Sequence, residues 1–465
     1  MPQRRRANVG GMVVGPDVAG HGSRSAAPVV PGRLPLLGHT MSLLSTPFRF
    51  LSTLRSHGEV VQIYLGTLPM YVVTSPELAW QVLATDADRF DKGMIFDKVR
   101  PLFGNGLLNS DGDFNRRQRR LMQPAFHRKR IAGYVQTMAK AASELVESWR
   151  PGEVVAVDEQ MDSLALSIVG QTLFSTELGR DAVAEVQRSM PILSKYLAIR
   201  AFTPRFADRL PIPANRRYDE AAARFRRVVA EVIVAARAEG KDHGDLLSTL
   251  LLARDEDTGE GMSDQQVHDE VVTILTAGAE TTAVALAWFF YELGRHPEVQ
   301  RRFHAEIDHV LAGRLATFED IPKLEYTQRI IREVLRKYPL LLLMRRARTH
   351  VDLGGVHIEP GTEVAFSQYA LHHDPHLYPD PARFDPDRWL PDRAAKLPKG
   401  AFVPFGGGLH HCPGYSFAET EIAIVAATVA ARWRLVPVAG KPVRPRLTAT
   451  MRPSRLSMTT MPRHA

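Results

Sequence analysis

The stretch Phe405-Gly406-Gly407-Gly408-Leu409-His410-His411-Cys412-Pro413-Gly414 carries the chain's single cysteine and leads into the apolar run Tyr415–Val429. Glycines permit positive φ and let a backbone approach a flat cofactor, and the start of a helix lowers the pKa of a thiol placed there. The loop therefore reads as a seat for a stabilised thiolate. Three rival readings are an inert buried cysteine, a Cys/His nucleophile and a zinc site. Zinc is disfavoured because the neighbouring His410, His411 and Cys412 diverge in direction and no second cluster supplies the remaining corners of a tetrahedron. The nucleophile reading has no second supporting motif in the chain.

Around this loop lies a chain of 465 residues, 45% hydrophobic and 24% charged, which is ordinary globular composition and excludes bulk disorder, collagen or coiled-coil arrays. The length allows three domains or one large enzyme domain. With one cysteine no intrachain disulfide can form, so nothing argues for an oxidising compartment. No run approaches the roughly 20 uninterrupted apolar residues of a spanning helix, and the start MPQRRRANVGG lacks the apolar stretch of a secretory signal. A soluble cytoplasmic protein without stable membrane insertion is expected. The net charge of +8 is too diffuse to call for nucleic acid.

Residues 1–30 read as a flexible basic arm. Beyond it, Thr46-Pro47 starts a helix and Gly58 stops it; Val60–Leu65 and Met70–Thr74 form a hairpin around Gly66, and Ser75-Pro76 opens another helix. Residues 113–310 are mostly helical in periodicity, with irregular Pro-bearing stretches near 203–214, and short strands return at Val351–Ile358 and Glu363–Phe366. The expected fold is one mainly α domain with small β-sheets over residues 31–465.

The cysteine loop resembles that of the cytochrome P-450 family, F-x-x-G-x-[R/H]-x-C-x-G, met here by Phe405, Gly408, His410, Cys412 and Gly414. The resemblance implies the fold of that family, a single haem b domain, and Cys412 as axial thiolate on iron, whose electron donation favours O–O cleavage. It also implies Phe405 shielding the sulfur and His410 near a haem propionate, although a solvated loop histidine is the ordinary alternative. Upstream, Ala277-Gly278-Ala279-Glu280-Thr281-Thr282 interrupts a long apolar helix from about Gln265 to Leu293 and resembles the family's oxygen-activating [A/G]-G-x-[D/E]-T pattern. Ala277 and Gly278 would leave room for a ligand, Thr281 would serve the bound oxygen, and Glu280 would link it to solvent. The ordinary alternative for a mid-helix Thr281 is a hydrogen bond back to the carbonyl of residue 277.

Two further motifs stand in family order. Glu333 and Arg336, at i, i+3 on one helical face, resemble the E-x-x-R pair, and Pro381-Ala382-Arg383-Phe384 supplies Arg383 as the expected third member of a buried charge triad that latches the core. Arg119, in the run Arg116-Arg117-Gln118-Arg119-Arg120, matches the propionate arginine of [W/H]-x-x-x-R, but the aromatic position holds Asn115. That departure either removes a propionate contact or replaces it with a shorter amide. Arg345 is the expected third anchor, with Arg346 beside it. The other arginines, with Arg128-Lys129-Arg130, form a solvated face or a docking surface for an acidic ferredoxin.

Variable walls of the family fall on the loop Met94–Phe103, on Ile192–Phe202, on Ile274 and Ala277, on Leu340–Met344 and on Leu447–Met451, so Met94, Ile95, Phe96, Ile274, Leu341, Leu342 and Thr448 are the candidate substrate contacts. The run Leu340-Leu341-Leu342-Leu343-Met344 has no charge and no hydroxyl, which suits a compact hydrocarbon, unless it is partly ordinary core. Phe90-Asp91-Lys92-Gly93 and the arginine-rich helix after it look similar to terpenoid oxygenases of the pentalenene-oxidising type. The expected activity is oxygen insertion from O2 into a C–H bond of a sesquiterpene-like substrate, with electrons from NAD(P)H through ferredoxin reductase and ferredoxin to a monomeric enzyme. Successive oxidations at one carbon are compatible with it. Fatty-acid or polyketide hydroxylation is the alternative within the class, and a non-catalytic haem sensor the alternative outside it. A peroxide-driven enzyme is disfavoured because Glu280 and Thr281 supply the proton relay that dioxygen needs.

Overall fold

The computed structural model describes residues 26–174, 177–202, 207–440, 442–447 and 450–463. The first sheet is built early and late in the chain. Its strands are β1 (Val60–Leu65), β2 (Leu68–Val73), β3 (Phe90–Lys92), β4 (Leu343–Ala347) and the last of the set, Glu363–Phe366, in the order β1, β2, Glu363–Phe366, β4, β3. Between β4 and that last strand the segment expected as one strand is a tight hairpin, β5 (Val351–Leu353) and β6 (Val356–Ile358), turning at Gly354-Gly355 with both residues at positive φ. Glu363–Phe366 is hence β7; it runs parallel to β2, pairing Met70 with Glu363 and Val73 with Phe366. All four of its residues are buried, as a central strand's should be.

The helical body comprises α1 (Met94–Phe103), α2 (Gly112–Met122), α3 (Arg128–Ser148), α4 (Val157–Leu173), α5 (Glu177–Phe202), α6 (Pro213–Glu239), α7 (Asp264–Arg295), α8 (Pro297–Leu311), α9 (Glu325–Lys337) and α10 (Tyr415–Arg432). Helix α7 opens on a capping box in which Ser263 and Gln266 satisfy each other's backbone N–H groups. It packs on α4 and α10, and most of its length is buried. By length and hydropathy it is the one described helix that could cross a membrane, but its apolar stretch is enclosed by protein and forms the core.

Two expectations are corrected here. Met94–Phe103 is a helix and not a loop: Asp97 sits in its first turn, Pro101 lies inside it, and Gly104 at φ +59 closes it. The last residues of the expected arm also pack on the first sheet. Gln62 N donates to Pro28 O at 2.9 Å, Val30 N donates to Gln62 O at 3.0 Å, and Val30 is buried. The earlier part of the expected arm, residues 1–25, lies outside the described residues, as does Thr448.

Candidate active site

The cysteine loop is shaped by its glycines. Gly406 (φ +73) and Gly408 (φ +59) take left-handed turns, and a Cβ on Gly408 would stand 2.1 Å from the carbonyl oxygen of Leu83. Cys412 N donates to Phe405 O at 2.9 Å, closing the loop directly before α10, and the Phe405 ring meets Tyr415 edge-on. Burial pushes the Cys412 thiol above its ordinary pKa, against the pull of the Gly414 N–H and Arg119. The helix start does lower the thiol, through the Gly414 N–H, but burial outweighs it in the haem-free chain; a coordinated thiol is deprotonated outright.

Beside this loop lies a cluster of cations. Strands β3 and β4 pair Lys92 directly with Arg345, and both side chains are buried, at 7% and 5% exposure. Like charges on directly opposed strand positions are destabilising unless something lies between them. Burial drives the Lys92 pKa down to about 7, with Arg345 adding to the fall while Asp111 and Glu270 oppose it. Burial likewise takes Arg345 down to about 10 and His410 to about 3, the latter reinforced by Lys92, Arg345 and Arg119. Arg119 donates to the carbonyl of His411. Asp111 stands among them, 4.0 Å from His410 and accepting from Lys92 N, and Glu270, lifted by burial to about 7, adds only part of a second negative charge, so with His410 neutral the Lys92, Arg345 and Arg119 cations still exceed their carboxylates. A group bringing two adjacent carboxylates, as the haem propionates do, fits the cradle's charge, and Cys412 fits its iron. Arg346 takes the opposite face of β4, paired with Asp97 and Glu363, so Arg345 is the arginine directed at the cradle.

Asn115 is not a free propionate donor. Its amide donates to Leu107 O (3.1 Å), Ser110 O (3.0 Å) and Ser110 Oγ (3.0 Å), and Leu107 O with Leu108 O also receives the Lys92 ammonium at 3.0 and 2.6 Å. Asn115 thus fixes Leu107 O, one of the two carbonyls that hold the Lys92 ammonium, and so sets a lysine beside the position where the motif's usual side chain is missing. Sequence reading did not assign Lys92 a role, although a lysine two residues after Phe90 on the buried face of a strand was a signal for one.

On the facing side, Ile274, Ala277, Gly278 and Thr281 fall at i, i+3, i+4 and i+7 on α7, and Ala277 and Thr281 are exposed within an otherwise buried stretch. Thr281 Oγ1 donates to Ala277 O at 2.8 Å, leaving its lone pairs available to accept. Glu280 accepts from Thr450 Oγ1 at 3.2 Å and lies 3.9 Å from Arg452, which also binds the partly buried Asp162. Burial raises Asp162 to about 6 despite Arg452. One residue on, Thr282 shares its hydroxyl between Gly278 O (2.9 Å) and Glu421 Oε1 (3.2 Å); burial lifts Glu421 to about 8. Glu421, Asp162 and Arg452 carried no signal in the sequence beyond their residue types.

The latch differs from expectation in one member. Arg336 binds Glu333 through both Nε (2.9 Å) and Nη2 (2.8 Å), with both side chains fully buried. The third member, and second cation, at Glu333 is Arg388, 3.5 Å away, and Trp389 Nε1 donates to Glu333 Oε2 at 3.1 Å. Arg383 is exposed and gives the latch only its carbonyl, 3.4 Å from Arg336 Nη2, because the turn after Asp380 faces its backbone inward. Most of the basic run is also spent within the molecule: Arg116 pairs with Asp113, Arg117 and Arg120 with Asp255, and Arg130 with Asp242.

Of the candidate substrate contacts, Met94, Ile95 and Leu342 are half-buried against a core cluster that contains Leu341 and Met344, so Leu341 belongs largely to the core. Phe96 is half-buried 5.4 Å from the Lys92 ammonium, and Ile274 packs at the edge of the main core.

The family model for cytochrome P-450 matches residues 28–461. The chain is 48% identical to cyclooctat-9-en-7-ol 5-monooxygenase of Streptomyces melanosporofaciens, over 88% of its length and 90% of the relative's. It is 42% identical to cyclooctatin synthase of the same organism (94% and 95% covered) and 38% identical to pentalenene oxygenase of Streptomyces avermitilis (93% and 96%). The crystal structure of the cytochrome P-450DA heme domain superposes with a TM-score of 0.85 at 28% identity, covering 94% of this chain and 98% of that one. A cysteine loop, a cation cradle suited to propionates and these likenesses lead to one conclusion: the chain belongs to the cytochrome P-450 family, a haem-dependent monooxygenase with cysteine thiolate ligation of the iron.

Proposed function

We propose that this monooxygenase oxidises a cyclic terpenoid hydrocarbon, or one bearing a single hydroxyl, at an unactivated C–H bond. The observation that carries the reading is the apolar character of the half-buried Met94, Ile95 and Leu342, packed against one core cluster, and of Ile274 at the edge of the main core, which offer no charge to a carboxylate. The names of the relatives favour the same class, since one denotes oxidation of a cyclic alcohol and another of pentalenene. Burying about 300 Å² of hydrocarbon at roughly 25 cal/mol per Å² contributes about 7 kcal/mol before association costs, enough for modest affinity without an ion pair.

The haem, when bound, supplies dioxygen activation. Thr281 presents a hydroxyl on the exposed turn of α7, its proton now donated to Ala277 O, and Glu280, positioned by Thr450 and Arg452, is the carboxylate that brings protons from the partly exposed side of the helix. Electrons come from a small redox protein, for which a ferredoxin is the reading we favour. Thr281→Ala is expected to keep the haem and its spectrum while lowering the fraction of NADPH electrons recovered as product about tenfold; unchanged coupling would remove Thr281 from the proton route. Substrate class is read by optical titration. Terpenoid hydrocarbons should shift the Soret band from low to high spin, and a shift with fatty acids alone would replace the terpenoid reading.

A further inference from the structure

The β5–β6 hairpin lies outside the haem site. Its register pairs Val351 with Ile358, Asp352 with His357 and Leu353 with Val356. Because strand side chains alternate, Val351, Leu353, Val356 and Ile358 turn into the core, and His350, Asp352, His357 and Glu359 share the outer face. Asp352 is committed to the turn, accepting from Gly355 N at 2.9 Å. The other three converge. His350 Nδ1 lies 3.2 Å from His357 Nε2 and 3.0 Å from Glu359 Oε2, and His357 Nε2 lies 3.6 Å from Glu359 Oε1. The two rings stack with centroids 5.1 Å apart and planes 17° from parallel.

Tetrahedral zinc with bonds of about 2.0–2.1 Å holds its ligand atoms about 3.3–3.4 Å apart. The three separations lie near that value, with Glu359 turning one carboxylate oxygen to each ring, so the three residues bring their donors together on the exposed face of the hairpin. Two imidazoles and one carboxylate suit Zn²⁺ and its first-row neighbours, whereas Ca²⁺ and Mg²⁺ require more oxygen donors. The strand ladder holds His357, and His350 and Glu359 directly flank its last pair, Val351 with Ile358, above the buried aliphatic underside, so little ordering is left for the ion to impose. We propose that His350, His357 and Glu359 bind a divalent transition-metal ion, zinc in the first instance, on the surface of the hairpin. The alternative is a cluster held by shared hydrogen bonds alone, which predicts no ion uptake.

The test is calorimetric titration of tag-free holoenzyme with ZnCl2. One ion per chain should bind with a micromolar dissociation constant, and His357→Ala and Glu359→Gln should each weaken that binding at least about tenfold. The double variant His350→Ala/His357→Ala should abolish it. All three residues are exposed, so the haem spectrum should be unaltered in each variant and serves as the control for folding. Absence of uptake by the parent protein, or equal uptake by the double variant, overturns the proposal.

Discussion

Two buried charge clusters flank the haem site, and they are built on opposite principles. At Glu333 a fully buried carboxylate meets Arg336 in a two-point contact, with Arg388 alongside and Trp389 and Asp385 N–H groups filling the remaining lone pairs. At the cradle, Lys92 and Arg345 face each other across a strand pair with Arg119 nearby, and Asp111 with a partly protonated Glu270 is too little counter-charge. The first cluster is complete within the polypeptide, so it holds the fold; the second is complete only with a dianion, so it holds a ligand. Buried charges that do not balance are therefore more informative about function than those that do.

The contrast is broken most severely at Glu333. Glu333→Gln leaves two guanidinium groups buried without a carboxylate and should cost about 3–5 kcal/mol, read as a fall in the urea midpoint and in the yield of folded haem protein. Lys92→Met tests the other side. It should hasten haem transfer to apomyoglobin about tenfold while leaving the haem-free chain at least as stable, since the variant removes a buried cation.

A pH comparison sharpens the same point. The folded Lys92 pKa, about 7, lies below its ordinary value of 10.5, so between these values the unfolded haem-free chain binds one more proton than the folded one. The contribution of Lys92 to stability therefore rises with pH from about 7 to 10.5, and its cost is fully present below 7. Urea midpoints of haem-free protein at pH 7 and 9.5 should show that rise, and Lys92→Met should flatten it. The smallest effect is expected at Arg383. Because only its carbonyl reaches the latch, Arg383→Ala should change stability by less than about 0.5 kcal/mol, whereas Arg388→Ala should cost more.

How far these features were legible in the sequence follows from how local they are. The cysteine loop, the Ala277–Thr282 turn and the first hairpin are contiguous, and their residues carry both geometry and chemistry. Long-range partners were not readable in that way. Arg383 and Arg388 sit on one short turn, and only the three-dimensional path of that turn decides which guanidinium reaches Glu333. Asn115 looked like a lost contact because its compensation, Lys92, comes from a strand more than twenty residues earlier and is joined to it through Leu107 O. The basic run looked available for docking because its counter-ions Asp242 and Asp255 lie more than a hundred residues away.

The parallel pairing of β2 with β7 sets the timing of assembly. Val73 and Phe366 are neighbours across about 290 residues of chain, so at roughly 5–20 residues per second a nascent β2 waits on the order of 15–60 s for its partner to be synthesised. Lys92 and Arg119 emerge early, and Arg345, His410 and Cys412 emerge late. The cradle thus has no complete form on the ribosome until nearly the whole polypeptide has been made, which makes cofactor capture a closing event of biogenesis and leaves an apolar strand edge in need of protection until then.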